Sequence, residues 1–108
     1  MTGTENQTVK ISLERIIKII CEQNKITEKE LAGSSRNRKL SECRGIICWL
    51  AKKINVSTLS KIGVRFNRDI ATLSRIVNKI EKRMGEDKSC KDKILRYFNN
   101  AITQARLV

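Results

Sequence analysis

The sequence predicts an all-α fold, a small bundle of about six helices. Three observations carry that expectation. Apolar residues recur at helical spacing through most of the chain, as at 13, 16, 17 and 20 or 73, 76, 77 and 80. No stretch alternates apolar and polar residues with β-branched enrichment, so no sheet is expected. Ser, Thr, Asn, Asp and Gly fall between the periodic segments, where helix ends need them.

Residues 1–7, MTGTENQ, are polar and read as a lead-in without structure, leaving 8–108 as one domain. From Val9 an apolar stripe continues through Ile20 and stops at Asn24 and Lys25. Thr27 followed by Glu30 fits a capping box for a short helix to about Ala32. Gly33, Ser34 and Ser35 form a loop. A long third helix runs from Arg38 to Ile54, with Leu40, Cys43, Ile47, Leu50 and Ile54 inward, widened by Ile46 and Trp49. Ser57 is the expected cap of a fourth helix ending near Ile62, and Gly63 to Arg68 the expected turn. Asp69 caps a fifth helix with Leu73, Ile76, Val77, Ile80 and Met84 inside, and Gly85 is its natural stop. Ser89 opens a sixth through Ile94, Leu95, Phe98, Ile102 and Ala105.

Charge is distributed unevenly along this frame. Between Arg36 and Arg83 lie 13 Lys and Arg against three acids, which is +10 of the net +12. The first 35 residues hold five bases and five acids. A basic excess confined to one stretch is the electrostatic footprint of a nucleic-acid-binding face. The same window holds the fourth and fifth helices, which have helix-turn-helix layout, with Phe66 plugging the core beneath the turn. In that geometry the first turns of the second helix, here about 69–84, meet base edges in the major groove. Ile70, Ala71, Ser74, Arg75 and Asn78 lie off the apolar stripe and face outward. Ile70 either packs against a thymine methyl or tucks under the turn beside Phe66. Phosphate contacts are expected from Arg38, Lys39, Arg44, Lys61, Arg65, Arg68 and Lys79.

Two segments resemble the C-terminal DNA-binding domain of the bacterial replication initiator DnaA. The run LAGSSRNRKLSECRGIICWLAKKI (31–54) parallels that family's basic loop and the long helix after it, with arginines recurring at 36, 38 and 44. STLSKIGVRFNRDIATLSRIVNKIE (57–81) is similar to the family signature SLxEIGxxFGxRDHTTVLHAxxKIE. It keeps the Ile-Gly pair, the Phe, the Arg-Asp pair, one Thr and the closing KIE. The turn is one residue shorter, and Ile70 and Ala71 replace the His and first Thr that help the family read its DNA box. The resemblance implies a base contact or cap at Asp69, a phosphate or methyl contact at Thr72, and Arg36 in the minor groove from a loop at about 33–39. The TLSRIV run is closer to DnaA-like domains appended to REP-associated transposases. The implied function is sequence-specific binding of double-stranded DNA, as the targeting module of a replication initiator or a transposase-related protein.

Other classes find little support. There is no histidine, no phosphate-binding GxxxxGK[ST] loop and no paired carboxylate site, so neither catalysis nor a cofactor is expected. Cys21, Cys43, Cys48 and Cys90 lack the close pairs of a zinc site and read as reduced thiols. Four aromatic residues are too few for a single-strand stacking surface. No apolar run approaches the roughly 20 residues that span a bilayer, and no signal-peptide pattern opens the chain, so a cytoplasmic monomer with no small-molecule substrate is expected. The alternatives are a protein-docking module on a helix-turn-helix frame and, less well supported, a reader of structured RNA.

Overall fold

A computed structural model describes residues 12–34 and 37–107, with side chains to residue 103. The predicted lead-in 1–7 and Val9 lie outside the described residues. Those described form six helices and no strand: α1 Leu13–Asn24, α2 Glu28–Ala32, α3 Arg38–Ile54, α4 Leu59–Phe66, α5 Ile70–Glu86 and α6 Lys88–Leu107. None is long and apolar enough to cross a membrane.

Polar caps open each helix, satisfying amides that have no partner within it. Ser12 accepts from the Arg15 N–H at 3.2 Å, Asn37 from Lys39 at 2.8 Å, and Asp69 from Thr72 at 2.7 Å. The Thr27–Glu30 capping box is complete, with reciprocal bonds of 3.2 and 2.9 Å. Two caps differ from expectation. Thr58 rather than Ser57 opens α4. Asp87 rather than Ser89 opens α6, accepting from the Ser89 N–H at 2.9 Å, so α5 and α6 are joined by a single residue.

The helix ends overturn the reading of the glycines. α1, α3 and α4 end on left-handed residues Lys25, Asn55 and Asn67, and no described glycine has positive φ. Each end closes with a bond from the following amide to a carbonyl five residues back, 2.9–3.0 Å long. Asparagine tolerates this conformation better than most side chains, so the chain turns without glycine. Gly63 therefore lies inside α4, which runs on to Phe66, and Gly85 lies inside α5.

α3 is the centre of the molecule. Every residue from Cys43 to Ala51 is buried, a wider apolar surface than the predicted stripe. A helical segment buried all round, here with Arg44 its one charged residue, is enclosed on all sides, and α1, α2, α4 and α5 all pack on this helix. α5 crosses it closely at Gly45, where an added Cβ would sit 2.6 Å from Ile76 and 2.8 Å from Ile80. Burial pushes the Cys43 thiol up to about 11 and that of Cys48 to about 12. α6 is rotated from its predicted face. Ile94, Tyr97 and Ala101 are buried, Phe98 and Ile102 half-buried, and Leu95 exposed. Tyr97 enters the core because its hydroxyl accepts a 3.2 Å bond from Asn24, the partner a buried phenol needs.

Candidate nucleic-acid interface

The fourth and fifth helices and the three residues between them make the site. Gly63 permits its tightness. An ideal Cβ there would lie 2.5 Å from the Arg68 carbonyl oxygen, so any side chain would force the turn away from α4. Phe66 is fully buried beneath it. Asn67 turns the chain, the Arg68 N–H bonds back to the Gly63 carbonyl at 2.9 Å, and Asp69 starts α5. A hydrogen bond from Thr72 holds the Asp69 carboxyl below the usual carboxylate range, with the Arg75 charge adding to the effect. Asp69 thus acts as a cap, with its carboxylate exposed at the end of the helix.

Beyond it, α5 presents one outward strip. Ile70 is 52% exposed, so it does not tuck under the turn beside Phe66. Ala71, Arg75, Asn78 and Lys79 are exposed, while Thr72 and Ser74 are half-buried along the strip's edge. Val64, one helical turn beyond Lys61 on α4, is 81% exposed, a residue the sequence reading passed over. Its only signal was an apolar residue off the inward stripe.

The bases divide into two groups. Arg38 and Lys39 at the start of α3, Lys61 on α4 and Lys79 on α5 are exposed. Arg38 and Lys79 line the same surface groove, above Ile76 and Ile80. Three others are engaged within the protein. Arg44, expected at a phosphate, is 3% exposed and donates to the Leu31 carbonyl at 2.7 Å. Its burial, and then the charge of Arg68, lower its pKa. Arg65, likewise expected at a phosphate, bonds Glu28 at 2.6 Å and Glu14 at 2.8 Å, joining α4 to α1 and α2. Those bonds raise its pKa and lower that of Glu14. Arg68, the third, bonds the carbonyls of Gly33, Phe66 and Asn67. A planar fork of five donors suits such carbonyl and carboxylate clusters, and a count of charges cannot tell a base held this way from one facing solvent. Arg36 lies outside the described residues. Arg83 is drawn to Glu42, which also holds Lys93.

A short helix, a tight left-handed turn over a buried aromatic and a second helix with an outward polar-and-basic strip define a helix-turn-helix domain. Comparison with known proteins narrows the class. The family described as bacterial DnaA protein helix-turn-helix matches residues 13–80, from the start of α1 into the second half of α5. The chain belongs to this family. It is 33% identical over 88 residues to the chromosomal replication initiator protein DnaA of Chlorobaculum tepidum, covering 81% of this chain and 18% of that protein. It is 26% identical over 98 residues to the DnaA of Oleidesulfovibrio alaskensis, covering 91% of this chain and 21% of that one. A Bradyrhizobium DnaA is 30% identical over 86 residues, 79% of this chain and 18% of its own length. The chain thus spans about a fifth of the relatives it matches.

Proposed function

We propose that this domain binds double-stranded DNA in a sequence-specific manner, with the start of α5 in the major groove, as the targeting part of a replication initiator. The observation that carries the reading is the outward strip of Ile70, Ala71 and Arg75 with Ser74 at its edge, together with the exposed cations Lys61 on α4 and Lys79 on α5. It combines side chains able to meet base edges with charges able to meet the phosphates on either side. Arg38 and Lys39 extend the cationic surface, and Thr72 lies at its edge. Relatives named as chromosomal replication initiators support the biological setting. On this reading the domain performs no catalysis and needs no cofactor. It holds DNA for machinery located elsewhere.

Selection of bound duplexes from a random pool tests the proposal. A consensus of several base pairs is expected, with duplex preferred to single strands and affinity falling steeply with salt. Val64 is the one observation that favours a docking module instead, since a large apolar side chain stands exposed beside the site. A pool that yields no consensus, with a salt dependence near zero, would support docking and overturn DNA reading.

A further inference from the structure

The carbonyls of Glu30, Leu31 and Ala32 at the end of α2, and that of Gly33 after it, accept from side chains elsewhere in the chain. Arg44 Nε donates to Leu31 O at 2.7 Å, and its Nη2 reaches Glu30 O and Gly33 O at 3.4 Å. Asn67 Nδ2 donates to Ala32 O at 3.1 Å. Arg68 Nη2 donates to Gly33 O at 2.7 Å, while its Nη1 bonds the Phe66 and Asn67 carbonyls at 3.0 and 3.1 Å. A helix C-terminus leaves carbonyls unpaired and carries partial negative charge, so it attracts guanidinium groups. Here two of the donors belong to the turn between α4 and α5. The residue after Arg68 is the α5 cap, and the next two, Ile70 and Ala71, begin the outward strip.

From this geometry we propose that Arg68 is a positioning residue. It fastens the turn to the end of α2, with help from Asn67, and so fixes the angle at which α5 meets DNA. The proposal rests on the DNA-binding reading above, and it assigns Arg68 to specificity rather than to phosphate contact. A planar fork can serve the turn's own carbonyls and the Gly33 carbonyl at once. Lysine supplies the same charge from a single point and cannot hold all three.

Arg68→Lys in the full chain separates the two roles. We measure its affinity for the selected duplex and for a scrambled one across a salt series. Discrimination between the duplexes should fall about tenfold, the size of one lost base contact. Affinity for the scrambled duplex and the salt slope should stay as in the wild type. If discrimination is intact in Arg68→Lys and Arg68→Ala lowers the slope by about one unit, Arg68 is a phosphate contact and the proposal is overturned. Should Arg68→Lys fail to fold, Arg68→Gln takes its place, since a single amide donor cannot hold the carbonyls of Gly33, Phe66 and Asn67 together. Unchanged discrimination in that variant overturns the proposal as well. Amide exchange in the DNA-free protein tells the two readings apart. Faster exchange at Arg68 and Leu73 in Arg68→Lys supports the anchor whether or not DNA binds, and unchanged exchange overturns it. A wild type that binds all duplexes alike overturns the DNA reading instead.

Discussion

Gly63→Ala tests the tightest contact in the site. The added methyl would lie 2.5 Å from the Arg68 carbonyl oxygen, roughly 1 Å short of an ordinary contact. That oxygen belongs to the backbone of the turn, so no side-chain rotation relieves the clash. α4 and the turn must separate, which also strains the 2.9 Å bond from the Arg68 N–H to the Gly63 carbonyl. Overpacking of this kind costs about 1–3 kcal/mol, and a weakened hydrogen bond adds about 1 kcal/mol. Against this, alanine in place of a helical glycine gains about 1 kcal/mol. The net loss is about 1–3 kcal/mol, a fall in Tm of roughly 5–15 °C for a domain of this size. Gly85→Ala is the matched control. Nothing lies within 4 Å of its added methyl and its φ is not positive, so the same substitution should raise Tm by a few degrees, as helix propensity alone dictates. Thermal unfolding followed by circular dichroism reads both. A Gly63→Ala protein at least as stable as the wild type would refute the argument that the turn needs glycine.

Leu50→Ala, at a core position 1% exposed, should cost about 2–5 kcal/mol in chemical denaturation. Of the seven expected phosphate contacts, Arg44, Arg65 and Arg68 are engaged internally and Arg38, Lys39, Lys61 and Lys79 are exposed, so these four give a slope of log affinity on log salt of roughly −4. A slope steeper than about −6 would mean that cations beyond these four reach DNA. Arg75→Ala should relax one position of the selected site at a cost of about 1–3 kcal/mol, whereas Lys61→Ala should weaken all duplexes alike and reduce the slope by about one unit. Asp69 and Glu14 have folded pKa values held down by Thr72 and Arg65. Their stabilisation is therefore present at neutral pH and lost as pH falls through the depressed values. Asp69→Asn, which keeps a capping oxygen, should flatten the acid limb of a Tm-versus-pH curve.

Much of the fold was legible because the helices announce themselves twice, by periodicity and by caps. α3 was placed from Arg38 to Ile54 on those grounds, and the Thr27–Glu30 box appeared as read. The errors share a cause. Glycine at 63 and 85 reads as punctuation in the sequence, but α4 ends on Asn67 and α5 runs past Gly85, and Gly63 answers a packing demand made by a residue five positions away. α6 was assigned Leu95 rather than Tyr97 because tyrosine looks polar until its hydroxyl finds Asn24, a partner 73 residues distant. Of the expected cationic contacts, Arg44, Arg65 and Arg68 could not be sorted from Arg38 or Lys79 by sequence. Their partners are carbonyls and carboxylates brought near only by the tertiary fold.

That sorting bears on how the site would read DNA. A surface with every base free would bind strongly and discriminate poorly, since phosphate contacts carry no sequence information of their own. Here two arginines instead tie the helix-turn-helix to its neighbours, Arg65 to α1 and α2 and Arg68 to the end of α2, which Arg44 in turn holds to α3. The braced strip begins with Ile70 and Ala71, which have no hydrogen-bonding side-chain groups and offer only apolar contact to a thymine methyl. Arg75 is the first long donor on the strip, and its fork fits the two acceptors of guanine. Such sparse chemistry discriminates only if α5 is held at a fixed height and angle, because a methyl contact fades within an ångström. On the proposed function, the internal use of these arginines and the apolar start of α5 are therefore two parts of one arrangement. Rigidity behind the helix lets few contacts in front of it specify a site.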